Sequence, residues 1–324
     1  MAGEIGKQMR IKTLHIEFTT ACNSRCVMCD YWKTAAAEMI DPKLVLSMIA
    51  EQYPLGLETV YFTGGECLLF AESVFSLCTQ IRESFPGLRL GLITNGLLLE
   101  KYCREIAGLF QKVIVSFDAV DPVRYKKIRG VDGAETIQKG IRSLKEHSPQ
   151  TQVNLRVLVL EENLDELPEI VEYGLTQKLN RVSFIPEDTS SQYAFGRRDQ
   201  AGVSGRKPPS LAELRRVIDQ IKTHYSAQMG TLLRPELEDL ERVYSIYSGA
   251  PVCFPACNKA SFSCVISSGG LVSPCFFING TQKISSGVSL QRILTSDEYL
   301  LRVREINAHF YPICGKCACP KELS

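Results

Sequence analysis

Residues 13–32 read TLHIEFTTACNSRCVMCDYW. The first seven, TLHIEFT, form a short run rich in β-branched and aromatic residues, which reads as a strand. Directly behind it stand Cys22, Cys26 and Cys29, in the spacing Cys-x3-Cys-x2-Cys. Ligand chemistry in parallel α/β folds gathers where strands end. The triplet therefore falls where a site is expected, provided that the strand belongs to such a sheet.

The following sequence meets that condition. β-rich runs recur at TVYFT (59–63), LRLGLIT (88–94), KVIVSF (112–117), QVNLRVLVL (152–160) and NRVSFIP (180–186). Helical patterns lie between them, among them DPKLVLSMIAEQY, AESVFSLCTQIRESF, TIQKGIRSLKEH and NLDELPEIVEYGL, the first opened by an Asp-Pro helix start. Strands alternating with helices imply βα units and a parallel sheet. Right-handed crossovers wind six such units into a partial (β/α)6 barrel, so the fold class is α/β.

The chain has 324 residues, 45% hydrophobic and 23% charged, which excludes disorder, collagen-like repeats and coiled coil. Thirty-seven Lys and Arg balance 36 Asp and Glu for a net charge of +1, leaving no global field for nucleic acid or an anionic membrane. No run approaches the roughly 18 apolar residues of a span, and MAGEIGKQMR holds no signal-like core. The expectation is a soluble, cytoplasmic protein with neither nucleic acid nor membrane as partner.

Thirteen cysteines are the compositional anomaly. An odd number in such a chain argues for metal, cluster or thiol chemistry over a disulfide framework. Three thiolates in one loop each take one iron of a [4Fe-4S] cube and leave the fourth iron open. Structural zinc, the rival, wants four ligands, and no nearby Cys or His completes the set. A second group lies in VCFPACNKASFSCVISSGGLVSPCFF (252–277) and in PICGKCACPKELS at the end. SFSCVI and LVSPCFF flank Ser267–Gly270 as a hairpin that carries Cys275 on its second strand. Cys257, Cys275, Cys314 and Cys317 supply four thiolates, enough to close a cluster completely or to build a zinc ribbon; Cys319 is an alternative to Cys314 or Cys317. Cys78 and Cys103 read as buried small hydrophobes. Cys253 is the spare thiol placed to give a hydrogen atom to a substrate radical, or else a buried or alternative cluster thiol; Cys264 shares a strand face with Ile266 and reads as core.

The polar stretch 187–210 reads as a long loop, either a surface insertion or a cover over the barrel mouth with Tyr193, Phe195, Arg197 and Arg198 toward substrate. Two helical segments, LAELRRVIDQIKTHY and PELEDLERVYSIY, follow as a bridge. The expected units are a barrel over 1–208, bridging helices over 209–250 and a small hairpin-plus-helix iron-sulfur domain over 251–324.

The triplet resembles that of the radical SAM superfamily, whose members bind S-adenosylmethionine at the unique iron, although Met28 stands where the family often has an aromatic residue. Thr63-Gly64-Gly65-Glu66 resembles the family's GGE motif for the methionyl amino group, with Cys67 in place of the usual Pro. The resemblance implies that Tyr31, Gly64, Gly65, Glu66, Asn95, Ser116, Asp118 and Arg156 contact the cofactor. Taken singly, each also reads as a turn, a cap or a surface ion pair. The tail resembles the SPASM domain and, more closely, its one-cluster twitch form. The implied cofactors are S-adenosylmethionine and two [4Fe-4S] clusters, with a flavodoxin or ferredoxin-type electron donor. The implied activity is that of an oxidoreductase or isomerase which takes a hydrogen atom from a sugar- or aminocyclitol-like small molecule for oxidation or epimerisation. Maturation of a ribosomally made peptide is the alternative. Only about a dozen residues precede the first strand, which weakens that alternative. A non-enzymatic iron-sulfur carrier would leave the cofactor motifs without purpose.

Overall fold

The computed structural model describes residues 9–33, 36–188, 206–225, 234–250, 257–285 and 287–317. Six strands follow in order: β1 (Thr13–Thr19), β2 (Thr59–Gly64), β3 (Arg89–Thr94), β4 (Lys112–Ser116), β5 (Gln152–Val159) and β6 (Arg181–Pro186). Three short ones come late: β7 (Ser263–Ile266), β8 (Leu271–Ser273) and β9 (Gln282–Lys283). The helices are α1 (Pro42–Gln52), α2 (Ala71–Ser84), α3 (Cys103–Leu109), α4 (Pro122–Arg129), α5 (Ala134–His147), α6 (Leu167–Thr176), α7 (Leu211–Tyr225), α8 (Arg234–Ser248), α9 (Lys259–Phe262), α10 (Leu290–Leu294) and α11 (Asp297–Asn307). Local chemistry sets their starts. Asp41 and Asp121 each accept a backbone N–H of the first turn, and each is followed by a proline whose missing donor costs nothing there.

One sheet runs in the order β6-β5-β4-β3-β2-β1-β7-β8-β9. From β6 through β7 the pairings are parallel, with Leu14 opposite Val60 on one side and Cys264 on the other. The sheet is not closed, so the barrel is partial. Side chains alternate along the strands: Leu14, Ile16 and Phe18 are fully buried in the main core, while His15 and Glu17 point to the inner face.

Two features depart from the expected layout. The C-terminal hairpin is not a sheet of its own but extends the barrel sheet from β1, and Cys275 lies just past β8, bridged to Ile278. The two long helices do more than bridge. Helix α8 packs along β6, pairing Asp239 with Arg181 at 2.7 Å, and Tyr247 donates its hydroxyl to the Val159 carbonyl at 2.8 Å. Residues 189–205, with the four expected loop residues, lie outside the described part. Arg206, just after them, pairs with Glu162 at 2.5 Å and with Glu187 at 3.3 Å. Among the described residues, no helix is long and apolar enough to cross a membrane.

Candidate cofactor site

The cysteine loop leaves β1 at Thr19 and is held from three sides. Behind β2, Gly65 donates its N–H to the Thr19 carbonyl and Glu66 its N–H to that of Ala21, both at 2.7 Å. A Cβ on Gly65 would overlap the Ala21 carbonyl, and one on Gly64 would stand 2.5 Å from the Thr19 oxygen. The two glycines therefore serve first to let the cysteine loop dock. Behind β3, the Asn95 amide donates to Asn23 Oδ1 at 2.7 Å and to Ser24 Oγ at 3.1 Å, and lies 4.0 Å from the Cys22 sulfur. At the end of α4, the carbonyls of Arg129 and Ile128 accept from the N–H groups of Arg25 and Val27 at 3.0 Å. Gly130, at φ +72°, ends that helix where a Cβ would overlap the Arg25 carbonyl.

Glu66 ties these supports together. Fully buried, it accepts from the Leu68 N–H (3.1 Å), the Thr94 hydroxyl (2.9 Å) and the Asn95 N–H (2.7 Å). Burial raises its pKa, and the three donors oppose that shift.

Cys26 is buried, whereas Cys22 and Cys29 are half-buried. Burial raises the pKa of the Cys22 thiol and lifts Cys29 to about 12, and the three sulfurs lie close enough to disfavour one another's charge. An electropositive group bound to them would reverse that balance. One fixed cation already stands there: Arg129 Nη1 is 3.7 Å from the Cys26 sulfur. Burial works against its charge, but Asp118 and Cys26 outweigh it and raise its pKa. Among the described residues, no three His, Cys, Asp or Glu side chains converge on a single-ion site. A cube takes one thiolate per iron at separate corners, so the donor set fits a [4Fe-4S] cluster with one iron open.

The structure brings Gly64, Gly65, Glu66 and Asn95 to the cysteine loop. Ser116 and Arg156 are register partners across β4 and β5, and the Tyr31 hydroxyl donates to Glu17 at 2.8 Å. Asp118 stands elsewhere. Fully buried, it pairs with Arg129 at 2.6 Å and accepts from the Leu158 N–H at 2.8 Å, so it lies behind the site as the partner of Arg129. Arg129 and Gly130 escaped the sequence reading, because KKIRG reads as a solvated basic helix end.

In the tail, Cys257 donates its N–H to His309 Nε2 at 3.1 Å, and Cys314 is close enough to Cys257 to feel its charge. Cys257, Cys275 and Cys314 pack partly buried against the core, and Cys317 follows one 3-10 turn later. Cys264 is buried on the core face with Ile266. Cys253 and Cys319 lie outside the described residues.

Residues 16–174 match the model of the radical SAM superfamily. A probable GTP 3',8-cyclase of Methanococcus maripaludis is 30% identical over 197 residues, spanning 57% of this chain and 63% of that protein. A probable GTP 3',8-cyclase of Methanocaldococcus jannaschii is 28% identical over 192 residues, spanning 57% and 62%. The chain thus covers about three fifths of the length of these curated relatives. Among solved structures, Streptococcus suis SuiB bound to S-adenosylmethionine superposes with a TM-score of 0.67 at 16% identity, over 91% of this chain and 68% of that one. The anSMEcpe enzyme with bound AdoMet and Cp18Cys peptide gives 0.66 at 16% identity, over 94% and 85%. At such identities the likeness is one of fold.

Proposed function

We propose that this protein reductively cleaves S-adenosylmethionine at a [4Fe-4S] cluster held by Cys22, Cys26 and Cys29, and uses the radical to abstract a hydrogen atom from a small molecule. When bound, the reduced cluster would give one electron to the sulfonium, whose bond to C5' would break to release methionine and a 5'-deoxyadenosyl radical; the chain supplies orientation and exclusion of competing hydrogen donors. The observation that carries the reading is the docking of the three-thiol loop onto the ends of β2 and β3 and onto α4, with Arg129 beside one sulfur. Gly64, Gly65 and Asn95 hold the loop and border the methionyl end. Ser116, Arg156 and Tyr31 offer polar groups across the strand ends, Arg156 as a charge-assisted partner for a carboxylate.

Within this reading the substrate carries a sugar-like ring, aminocyclitol or ribose, and is oxidised or epimerised. The naming of the curated relatives as GTP cyclases favours a nucleotide as a second form of such a ring. Peptide maturation is the remaining alternative. Cys257, Cys275, Cys314 and Cys317 hold an auxiliary cluster that accepts the electron of a substrate radical; the nearness of Cys314 to Cys257 supports that grouping. In the epimerase form, Cys253 gives the returning hydrogen atom. The test is 5'-deoxyadenosine formation after anaerobic reconstitution and dithionite reduction. Wild type forms it and Cys26→Ala does not; formation by the variant, or none by wild type, overturns the reading.

A further inference from the structure

The inner face of the barrel holds a side chain that cofactor cleavage does not use. His15, in the middle of β1, is 6% exposed, and neither of its ring nitrogens has a hydrogen-bond partner. Buried polar groups are nearly always partnered, so two such atoms on one ring mark a place where something else binds. The ring is held by packing. It stacks on Tyr61 at 5.2 Å between centroids and 12° between planes, and Phe276 meets it edge-on at 5.0 Å. Tyr61 can lie there because its neighbour on β3 is Gly91, where a Cβ would overlap the phenol ring. Stacking holds the ring by its face, and the two buried nitrogens in its plane are the atoms left without a partner.

The charges around this ring share one sign. Burial, Lys259 of α9 and Arg156 of β5 together depress the His15 pKa well below the ordinary histidine value, so the ring is neutral, with one donor and one acceptor nitrogen. The acid on the same strand face, Glu17, is pushed by burial toward its protonated form and accepts from Tyr31. On β5, two residues before Arg156 on the same face, Asn154 keeps a buried Oδ1 without a partner. Phe276, whose ring meets His15 edge-on, follows Cys275 directly, and the strand of His15 leads into the first cysteine loop.

We infer that His15, in the positive field of Lys259 and Arg156, seats an anionic group of the substrate, a carboxylate or a phosphate, on the inner face of the barrel. The inference rests on the proposed radical chemistry only in calling that molecule the substrate. A neutral imidazole donates one hydrogen bond to the anion, Lys259 neutralises it, and Asn154 takes a hydroxyl or amine of the same molecule.

The experiment is anaerobic calorimetric titration of the reconstituted holoprotein with inorganic phosphate and, separately, with malonate. Wild type binds at least one, and which one it binds identifies the anion. His15→Phe and Lys259→Met each weaken that binding tenfold or more, whereas His15→Gln, which keeps a donor and an acceptor, stays within a few-fold of wild type. Iron content and far-ultraviolet circular dichroism establish that each variant is folded and loaded. Failure of wild type to bind either anion overturns the inference, as does equal binding by wild type and His15→Phe. Loss of cofactor cleavage in wild type would sink the proposed function but leave the anion titration readable.

Discussion

The Arg129 guanidinium meets the Asp118 carboxylate at 2.6 Å, with side-chain exposures of 11% and 0%, and the same guanidinium reaches to 3.7 Å from the Cys26 sulfur. One buried ion pair thus joins the end of α4 to the segment behind β4 and places a cation at the cysteine loop. Replacing Arg129 by Met strands the carboxylate and costs about 3–5 kcal/mol in anaerobic denaturation. Adding Asp118→Leu restores a large part of that loss, because the orphaned charge is gone. Additive losses would show that the two residues are not coupled.

Iron counting separates the two cysteine groups. Reconstituted wild type holds about eight irons per chain, and Cys26→Ala and Cys314→Ala each hold about four. Only the first loses 5'-deoxyadenosine formation altogether. A Cys314→Ala protein with a full iron content would mean that Cys314 is not a ligand of the tail cluster, and wild type with only about four irons would mean that the tail holds none.

Two glycine substitutions are expected to diverge. Gly65→Ala forces the Ala21 carbonyl away and lowers both stability and iron loading of the triplet, by about 2 kcal/mol or more in the apoprotein. Gly108→Ala, in α3, meets nothing within 4 Å and stabilises by about 0.5–1 kcal/mol. Thermal melts of the pair check both signs.

Acid sensitivity has an identifiable contributor between α7 and α8. Glu241 pairs with Arg215 at 2.9 Å and with Lys222, and the Arg215 hydrogen bond depresses its pKa below the usual value. Its stabilising contribution is therefore complete above the unfolded carboxylate pKa of about 4.3 and fades as pH falls through the lower folded value. Wild type and Glu241→Gln should differ by under about 1 kcal/mol at neutral pH. They should converge below about pH 3. A gap that widens on acidification would contradict the assignment.

Electron delivery is expected at the exposed side of the cysteine loop. Arg25 lies over the Trp32 ring at 6.0 Å, and Trp32 donates its indole N–H to the Cys26 carbonyl at 3.2 Å. Lys127 is exposed on α4, whose end is hydrogen-bonded to this loop. For a flavodoxin-type donor with an acidic face, Lys127→Glu should raise the donor KM about tenfold at low ionic strength and less at high salt. The dithionite-driven rate should stay as in wild type. An unchanged donor KM would move the docking face elsewhere.

The strands of the barrel were legible because they are short β-rich runs, most of them separated by amphipathic helical patterns, and all six fall within a residue or two of their sequence limits. The β1–β7 pairing was not. SCVI is a four-residue strand, buried throughout, and nothing in its pattern names a partner. At the site, the cysteine spacing was visible in the chain, whereas the tasks of its neighbours were not. Gly64 and Gly65 read as room for a ligand, and their second task, admitting the cysteine loop, is not visible in the chain. Asp118 read as a cofactor contact or a cap, and its pairing with Arg129 was hidden, because Arg129 sits in a basic helix end indistinguishable in sequence from a solvated one. His15 could be put on a strand, but its stacking on Tyr61 depends on Gly91 of another strand.

The parallel pairing of β7 with β1 has a consequence for biosynthesis. Thr13 and Ser263, partners across that edge, are 250 residues apart in sequence, so β1 and the five strands on its other side are translated well before β7. During that interval the nascent barrel presents the open side of β1, with unpaired peptide groups beside the strand that bears His15. Contacts so far apart in sequence form late. Only when β7 emerges does the strand that leads into the first cysteine loop gain its second neighbour.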